Sequence, residues 1–332
     1  MDIQRIGIVG AGAWGTALAM AARRTGCETV LWARRPALAA EIAATHENAA
    51  YLPGIALDPA IRASADPAAL GDRDAILLVA PAQRLGEVTR RLAPHLPAAA
   101  PLVICAKGIE QETGRLMSEV VAAAAPGRPL AVLSGPTFAA EVARGLPTAA
   151  TLATADETQG TALVAALGSR AFRPYLSHDL VGAQVGGAVK NVIAIACGIA
   201  AGRALGENAR AALITRGLAE IARLGRALGA RAQTPMGLSG LGDLTLTCTS
   251  MLSRNYSLGR ALGQGERLEA IQAGRRSVAE GVFSAGAVAS LAAAKDIDMP
   301  IVEAVDGILN HGAALDDAMG GLLARPFKIE TA

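Results

Sequence analysis

Ile3-Gln4-Arg5-Ile6-Gly7-Ile8-Val9 runs directly into Gly10-Ala11-Gly12-Ala13-Trp14-Gly15, and an Ala/Leu-rich segment follows from Thr16. The apolar run predicts a strand, the segment after Gly15 predicts a helix, and the G-x-G-x-x-G between them stands where a dinucleotide-binding turn requires it. Gly10 permits the tight turn. Gly12 lets backbone N–H groups approach a pyrophosphate, Gly15 allows close packing of helix on strand, and the helix N-terminus attracts negative charge. A glycine-rich turn without a ligand is the alternative, and its position on the first strand of a βαβ series weighs against it.

Outward from that turn, β-branched runs alternate with Ala-rich stretches of helical length up to about residue 180, the pattern of successive βαβ units and a parallel sheet. Strands are expected at residues 3–9, 29–32, 75–79, 102–106, 130–133 and 148–153, with a further one at 172–177. Beyond Gly182 the chain is Ala/Leu-rich with glycine-containing turns and no period-two alternation. The expected fold is therefore α/β: a Rossmann-type doubly wound sheet over residues 1–181, then an all-α substrate-binding and catalytic domain over 182–332.

A chain of 332 residues is long enough for two cores, and 52% hydrophobic residues can fill them. Charged residues make up 18% and the formal net charge is +2, which points away from a nucleic-acid surface and towards a small-molecule partner. The longest uninterrupted apolar stretch, Val192 to Gly202, is shorter than a membrane span needs and reads as a buried core helix. The N-terminus lacks the features of a secretory signal, so cytoplasmic residence is expected. Cys27, Cys105, Cys197 and Cys248 are scattered, as are the four histidines, so neither a disulfide framework nor a metal site is indicated.

An NAD-preferring site places an acidic residue at the end of the second strand, but this chain has Leu31-Trp32-Ala33-Arg34-Arg35-Pro36 there. Arg34 and Arg35 put guanidinium donors where a 2′-phosphate would sit, so NADPH is expected to be accepted beside NADH. Solvated charges opening a surface helix remain the other reading.

Three polar features fall at carboxyl ends of expected strands, where ligands of open α/β sheets gather. Lys107 follows the strand at 102–106 and either faces the site or is a surface lysine. Ser134-Gly135-Pro136-Thr137-Phe138-Ala139 reads as a strand end and helix start with proline early in the helix, serving as a cap or as an oxyanion site. Lys190-Asn191 lies near the start of an apolar helix, where burial would lower the lysine pKa towards the range a proton donor needs. Gly186, one turn earlier, would leave that face open to a ligand; a snorkelling lysine is the alternative. Farther on, Ser239-Gly240-Leu241-Gly242-Asp243-Leu244 and Ser253-Arg254-Asn255 combine a carboxylate with donors suited to a phosphate.

With those residues in view, the sequence resembles the bacterial-type NAD(P)-dependent glycerol-3-phosphate dehydrogenases over nearly its whole length. The resemblance is carried by the motif from Gly10, Tyr51-Leu52-Pro53-Gly54, Lys107-Gly108, Ser134 to Ala139, Lys190-Asn191, Gly240 to Leu244, Ser253 to Asn255 and Val278-Ala279-Glu280-Gly281. It implies reversible reduction of dihydroxyacetone phosphate to sn-glycerol 3-phosphate, the backbone of glycerophospholipids. By similarity, Trp14, Arg34, Lys107, Ala139, Arg254, Val278 and Glu280 contact the dinucleotide. Lys107, Gly135, Thr137, Asp243, Ser253, Arg254 and Asn255 line the substrate site, and Lys190 is catalytic. Ala13 stands where many members carry Ser, which removes a hydroxyl contact to the pyrophosphate but leaves a backbone N–H. Ketopantoate-type and β-hydroxyacid-type reductases also use a helix lysine, and the Ser253-Arg254-Asn255 donors set a phosphorylated substrate against theirs. A homodimer through the helical half stays open.

Overall fold

A computed structural model describes residues 2–274 and 279–326. The first half contains strands β1 (Arg5–Val9), β2 (Glu28–Trp32), β3 (Arg62–Ser64), β4 (Ala75–Leu78), β5 (Leu102–Ile104), β6 (Leu130–Ser134), β7 (Thr148–Thr154) and β8 (Phe172–Ser177). Between them run α1 (Ala13–Arg24), α2 (Pro36–Thr45), α3 (Leu85–Leu92), α4 (Met117–Ala124), α5 (Ala139–Arg144) and α6 (Glu157–Leu167). The rest is helical: α7 (Leu180–Gly202), α8 (Gly206–Ala227), α9 (Asp243–Thr249), α10 (Arg254–Gly263), α11 (Leu268–Ala273), α12 (Glu280–Ala294), α13 (Pro300–Asn310) and α14 (Leu315–Leu323).

The eight strands form one sheet in the order β3-β2-β1-β4-β5-β6-β7-β8. Their side chains alternate between the two faces. Ile6, Ile8, Leu31, Leu77 and Val103 join the core beneath α1, while Val9, Val30, Trp32, Ile76, Leu78 and Ile104 join the core that takes in Leu85 and Leu92 of α3. Coverage on both faces explains why the strands read as continuous apolar runs.

Two expectations about the sheet are corrected. β7 runs antiparallel to β6, although β8 is parallel to β7. A parallel return needs a long crossover to carry the chain back along the sheet. The connection after β6 holds only the six-residue α5, so β7 starts at the end where β6 stops. The three-residue edge strand β3, paired to β2, was not foreseen because Arg62-Ala63-Ser64 has neither the length nor the apolar pattern that signals a strand.

The helical half is built around α7, whose residues Gly182 to Ala200 are all buried. Length and apolarity would let this helix cross a membrane, but 89% of its most apolar window is buried inside the molecule. It extends well beyond the apolar run that pointed to it, because Lys190 and Asn191 are absorbed into its middle. α7 and α10 meet at glycines spaced four apart: Gly198 and Gly202 lie against the backbone of Tyr256 and Arg260, Gly259 and Gly263 against that of Ile195 and Ile199. A Cβ at any of these would collide with backbone, so the small residues set the helix separation. That separation fixes where Ser253, the N-cap of α10, stands relative to Lys190.

Candidate active site

The fingerprint folds as its residue types require. Gly10 leaves β1 at φ 119° and its N–H donates to Trp32 O at 3.0 Å. A side chain on Gly15 would strike Gly10 O, whereas space is open beside Gly12, the N-cap of α1. No acidic residue occupies the first turn of α1. An uncovered N-terminus approached by bare backbone fits a dinucleotide pyrophosphate. Ala13 and Trp14 are half-buried there, and the Trp14 indole N–H has no protein partner.

At the end of β2, Arg34 is exposed and Arg35 caps α2 from outside, with Pro36 in its first turn. The Arg35 guanidinium lies 5.6 Å from the Tyr51 ring centre and donates to the Tyr51 hydroxyl at 3.2 Å, so it is partly held rather than freely solvated. Tyr51 supplies a contact that the run Leu31 to Pro36 could not announce.

Lys107 stands three residues beyond the last residue of β5, which ends at Ile104 rather than at Ala106 as expected. It is not a surface lysine: its Nζ donates to Gly135 O and to Asp243 Oδ2, both at 2.8 Å. Gly135 follows β6 at φ 149° and packs against Ala150. The helix expected to start near Pro136 begins instead at Ala139, with Phe138 as N-cap and no side-chain cap. Thr137 is thus in the turn, its hydroxyl donating to Gly135 O at 3.2 Å. The proline signal misplaced the helix because the backbone of Gly135 first has to turn against β7.

Lys190 sits in the middle of α7, not near its start, and does not snorkel. Its Nζ donates to Asp243 Oδ1 at 2.6 Å and to Thr247 Oγ1 at 2.8 Å. Burial pushes the ammonium down to about 8, opposed by the Asp243 carboxylate and assisted by Lys107. Gly186 does not open this face to a ligand; it lets α7 pack against the backbone of Ser239 and Gly240. Those residues form a single π-helical turn, Leu238–Gly242, that leads into α9 and delivers Asp243 to the two lysines.

Asp243 is 1% exposed and gives one oxygen to each lysine. Two ammonium groups around one buried carboxylate leave the cluster with a net positive charge, suited to an anionic or carbonyl substrate. Thr247 was missed as a site residue. Its position four after Asp243 on a helix is the signal that could have found it.

Ser253 accepts the Tyr256 N–H at 3.2 Å and keeps its own hydroxyl proton to donate. Asn255 donates to Asn191 Oδ1 at 2.9 Å and accepts the Gly281 N–H at 3.0 Å, joining α10 to α7 and to the start of α12. Arg254, between them, is exposed and opens α10. Half-buried Glu280 begins α12; desolvation raises its carboxyl pKa, while Arg254 and the Ala82 N–H oppose the rise. Ala139 is half-buried at the start of α5. Val278 lies outside the described residues.

These groups converge at the carboxyl ends of adjacent strands. Gly10 touches the backbone of Val79 after β4, Gly108 touches Ala82, and Lys107 links Gly135 to Asp243. Among the described residues no group of three His, Cys, Asp or Glu could hold a metal.

The N-terminal family model, "NAD-dependent glycerol-3-phosphate dehydrogenase N-terminus", matches residues 5–160, and its C-terminal counterpart matches residues 179–320. A glycerol-3-phosphate dehydrogenase [NAD(P)+] from Rhodospirillum rubrum is 59% identical over 99% of this chain and 94% of its own length. One from Caulobacter vibrioides is 57% identical over 99% of this chain and 100% of its own. The crystal structure of glycerol-3-phosphate dehydrogenase from Coxiella burnetii superposes with a TM-score of 0.93 at 40% identity, covering 97% of this chain and 99% of that one.

Proposed function

The chain belongs to the NAD-dependent glycerol-3-phosphate dehydrogenase family, and from that premise we propose how its own residues carry out the reaction. It is an oxidoreductase that reversibly reduces dihydroxyacetone phosphate to sn-glycerol 3-phosphate with NADH or NADPH. A reduced nicotinamide bound at the glycine turn would supply the hydride for the substrate carbonyl. The Lys190 ammonium stabilises the oxygen as negative charge develops and gives it a proton, completing the secondary alcohol. Asp243 and Thr247 hold Nζ in place, and Asp243 ties Lys107 to the same point. Solvent then returns the proton to Lys190.

The substrate phosphate falls to Arg254, flanked by the Ser253 hydroxyl and Asn255 amide, while Thr137 and Gly135, beside Lys107, serve the rest of the substrate. Binding energy from the phosphate would hold the carbonyl towards Lys190 without entering the bond changes. Gly10, Gly12, Ala13, Trp14 and Gly15 receive the pyrophosphate, and Arg34 and Arg35 face the 2′-position of the adenosine ribose. Ala139 and Glu280 add to the cofactor-binding residues. Residues 1–181 carry the dinucleotide and 182–332 the catalytic lysine. Cytoplasmic residence fits four buried cysteines that are all free thiols.

The observation that carries this reading is the Asp243 carboxylate shared between Lys190 and Lys107. Its test is the loss of reduced-nicotinamide absorbance with purified protein and dihydroxyacetone phosphate, repeated with unphosphorylated dihydroxyacetone. Turnover that depends on the phosphate supports it; equal turnover of both ketones removes Arg254 from its assigned place.

A further inference from the structure

We propose that Asn48 is a positioning residue for the dinucleotide, aiming the Gly12 N–H of the glycine turn outward by holding the Ala11 carbonyl inward. The proposal rests on the reading that Gly10 to Gly15 receives the pyrophosphate.

Asn48 is fully buried, 0% exposed, on a segment distant in sequence from the glycine turn. Its Nδ2 donates to Ala11 O at 3.0 Å and to Thr16 Oγ1 at 2.8 Å. Thr16 Oγ1 in turn donates to Gly12 O at 2.9 Å, beside the Thr16 N–H to the same oxygen at 3.0 Å. A trans peptide is planar, with its C=O and N–H pointing in opposite directions. Anchoring Ala11 O to Asn48 therefore directs the Gly12 N–H away from the core. Anchoring Gly12 O through Thr16 does the same for the Ala13 N–H. These are the backbone donors that the open space beside Gly12 exposes to a ligand.

The support beneath Asn48 is prebuilt. His46 ends α2 in the left-handed region at φ 50°, turning the chain towards α1. Its carbonyl accepts the Leu57 N–H at 2.8 Å, Glu47 bridges Ala56, and Glu47 Oε1 accepts the Gly54 N–H at 2.8 Å. The Asn48 carbonyl accepts from Tyr51 and Leu52, and Leu52 is buried in the core beneath α1. The loop is closed on itself, so the side chain reaches the glycine turn from a rigid base. Both its contacts need donors: Ala11 O can only accept, and Thr16 Oγ1 has spent its proton on Gly12 O. An amide serves and a carboxylate does not.

The test uses the full-length enzyme with steady-state kinetics and direct titration of NADPH and NADH by nicotinamide fluorescence. Asn48→Asp, and separately Thr16→Val, are expected to raise KM and Kd for both dinucleotides together, by roughly tenfold for the first. The KM for dihydroxyacetone phosphate at saturating cofactor and kcat stay within about twofold. Thr16→Ser, which keeps a hydroxyl, leaves both dinucleotide constants at those of the unaltered enzyme. Should the carboxylate introduced by Asn48→Asp prevent folding, the Thr16→Val and Thr16→Ser pair decides. Folded variants with unchanged dinucleotide constants, or Val and Ser variants impaired alike, overturn the proposal while leaving the cofactor assignment intact. An unaltered enzyme that binds neither dinucleotide overturns both.

Discussion

The Lys190 ammonium and the Asp243 carboxylate lie 2.6 Å apart, both shielded from solvent, although 53 residues separate them in the chain. Asp243 is the main group keeping a proton on Lys190 against the pull of burial. Asp243→Asn preserves shape but removes that charge. Its reduction activity is expected to fall by roughly 100-fold, and its pH optimum to move downward as Lys190 loses its proton more easily. A kcat profile against pH reads both effects; an unmoved optimum would mean that Asp243 does not govern the Lys190 proton.

In the proposed mechanism Lys190 is charged when it donates a proton in reduction and neutral when it accepts one in oxidation. With its pKa pushed down to about 8, reduction should decline as pH rises through that value and oxidation of glycerol 3-phosphate should increase. Initial rates in both directions, measured from well below to well above that pH, test this. Lys190→Ala should lower kcat by roughly 100- to 10,000-fold while NADPH binding persists.

Arg34→Ala and Arg35→Ala should raise the KM for NADPH by roughly tenfold each and leave that for NADH nearly unchanged, since only the 2′-phosphate is lost as a partner. Comparing the two cofactors in each variant is the measurement. Parallel changes in both would place the arginines elsewhere than at the 2′-position.

Arg254→Ala should raise the KM for dihydroxyacetone phosphate by roughly 10- to 100-fold and leave any turnover of dihydroxyacetone, which has no phosphate, little changed. A uniform loss on both ketones would argue for a role in cofactor placement alone.

Far from the site, buried Glu220 on α8 accepts the Ile301 and Val302 N–H groups at the start of α13. Burial pushes its carboxyl up to about 7 from an ordinary 4.5. Between those values the folded protein holds more protons than the unfolded chain, so stability falls as pH rises through the window, by on the order of 3 kcal/mol. Glu220→Gln keeps an acceptor and removes the charge. Its Tm should lose this share of the decline across that window, which thermal unfolding at a pH near each end would show.

Local sequence was sufficient where neighbouring residues perform the physical task. Gly10 to Gly15, the strands on either side, the helical second half and the polar residues at expected strand ends were legible, because a turn or an apolar run is set within a few residues. The same reading named Lys190, Lys107 and Asp243 as candidate site residues, Lys190 as the most unusual lysine. It did not reach β3, whose three residues are extended chiefly by pairing with β2, or the reversal of β7, which follows from how short a helix separates it from β6. Gly186 looked like space left for a ligand and is a contact with the backbone of Ser239. Asn48 carried no strong local signal, since its partners lie on other elements; Thr247 was signalled only by standing four residues after Asp243, while its Lys190 partner lies on α7. What tertiary structure alone decided was convergence: burial strips water from Lys190, and only a folded chain can bring Asp243 close enough to replace it.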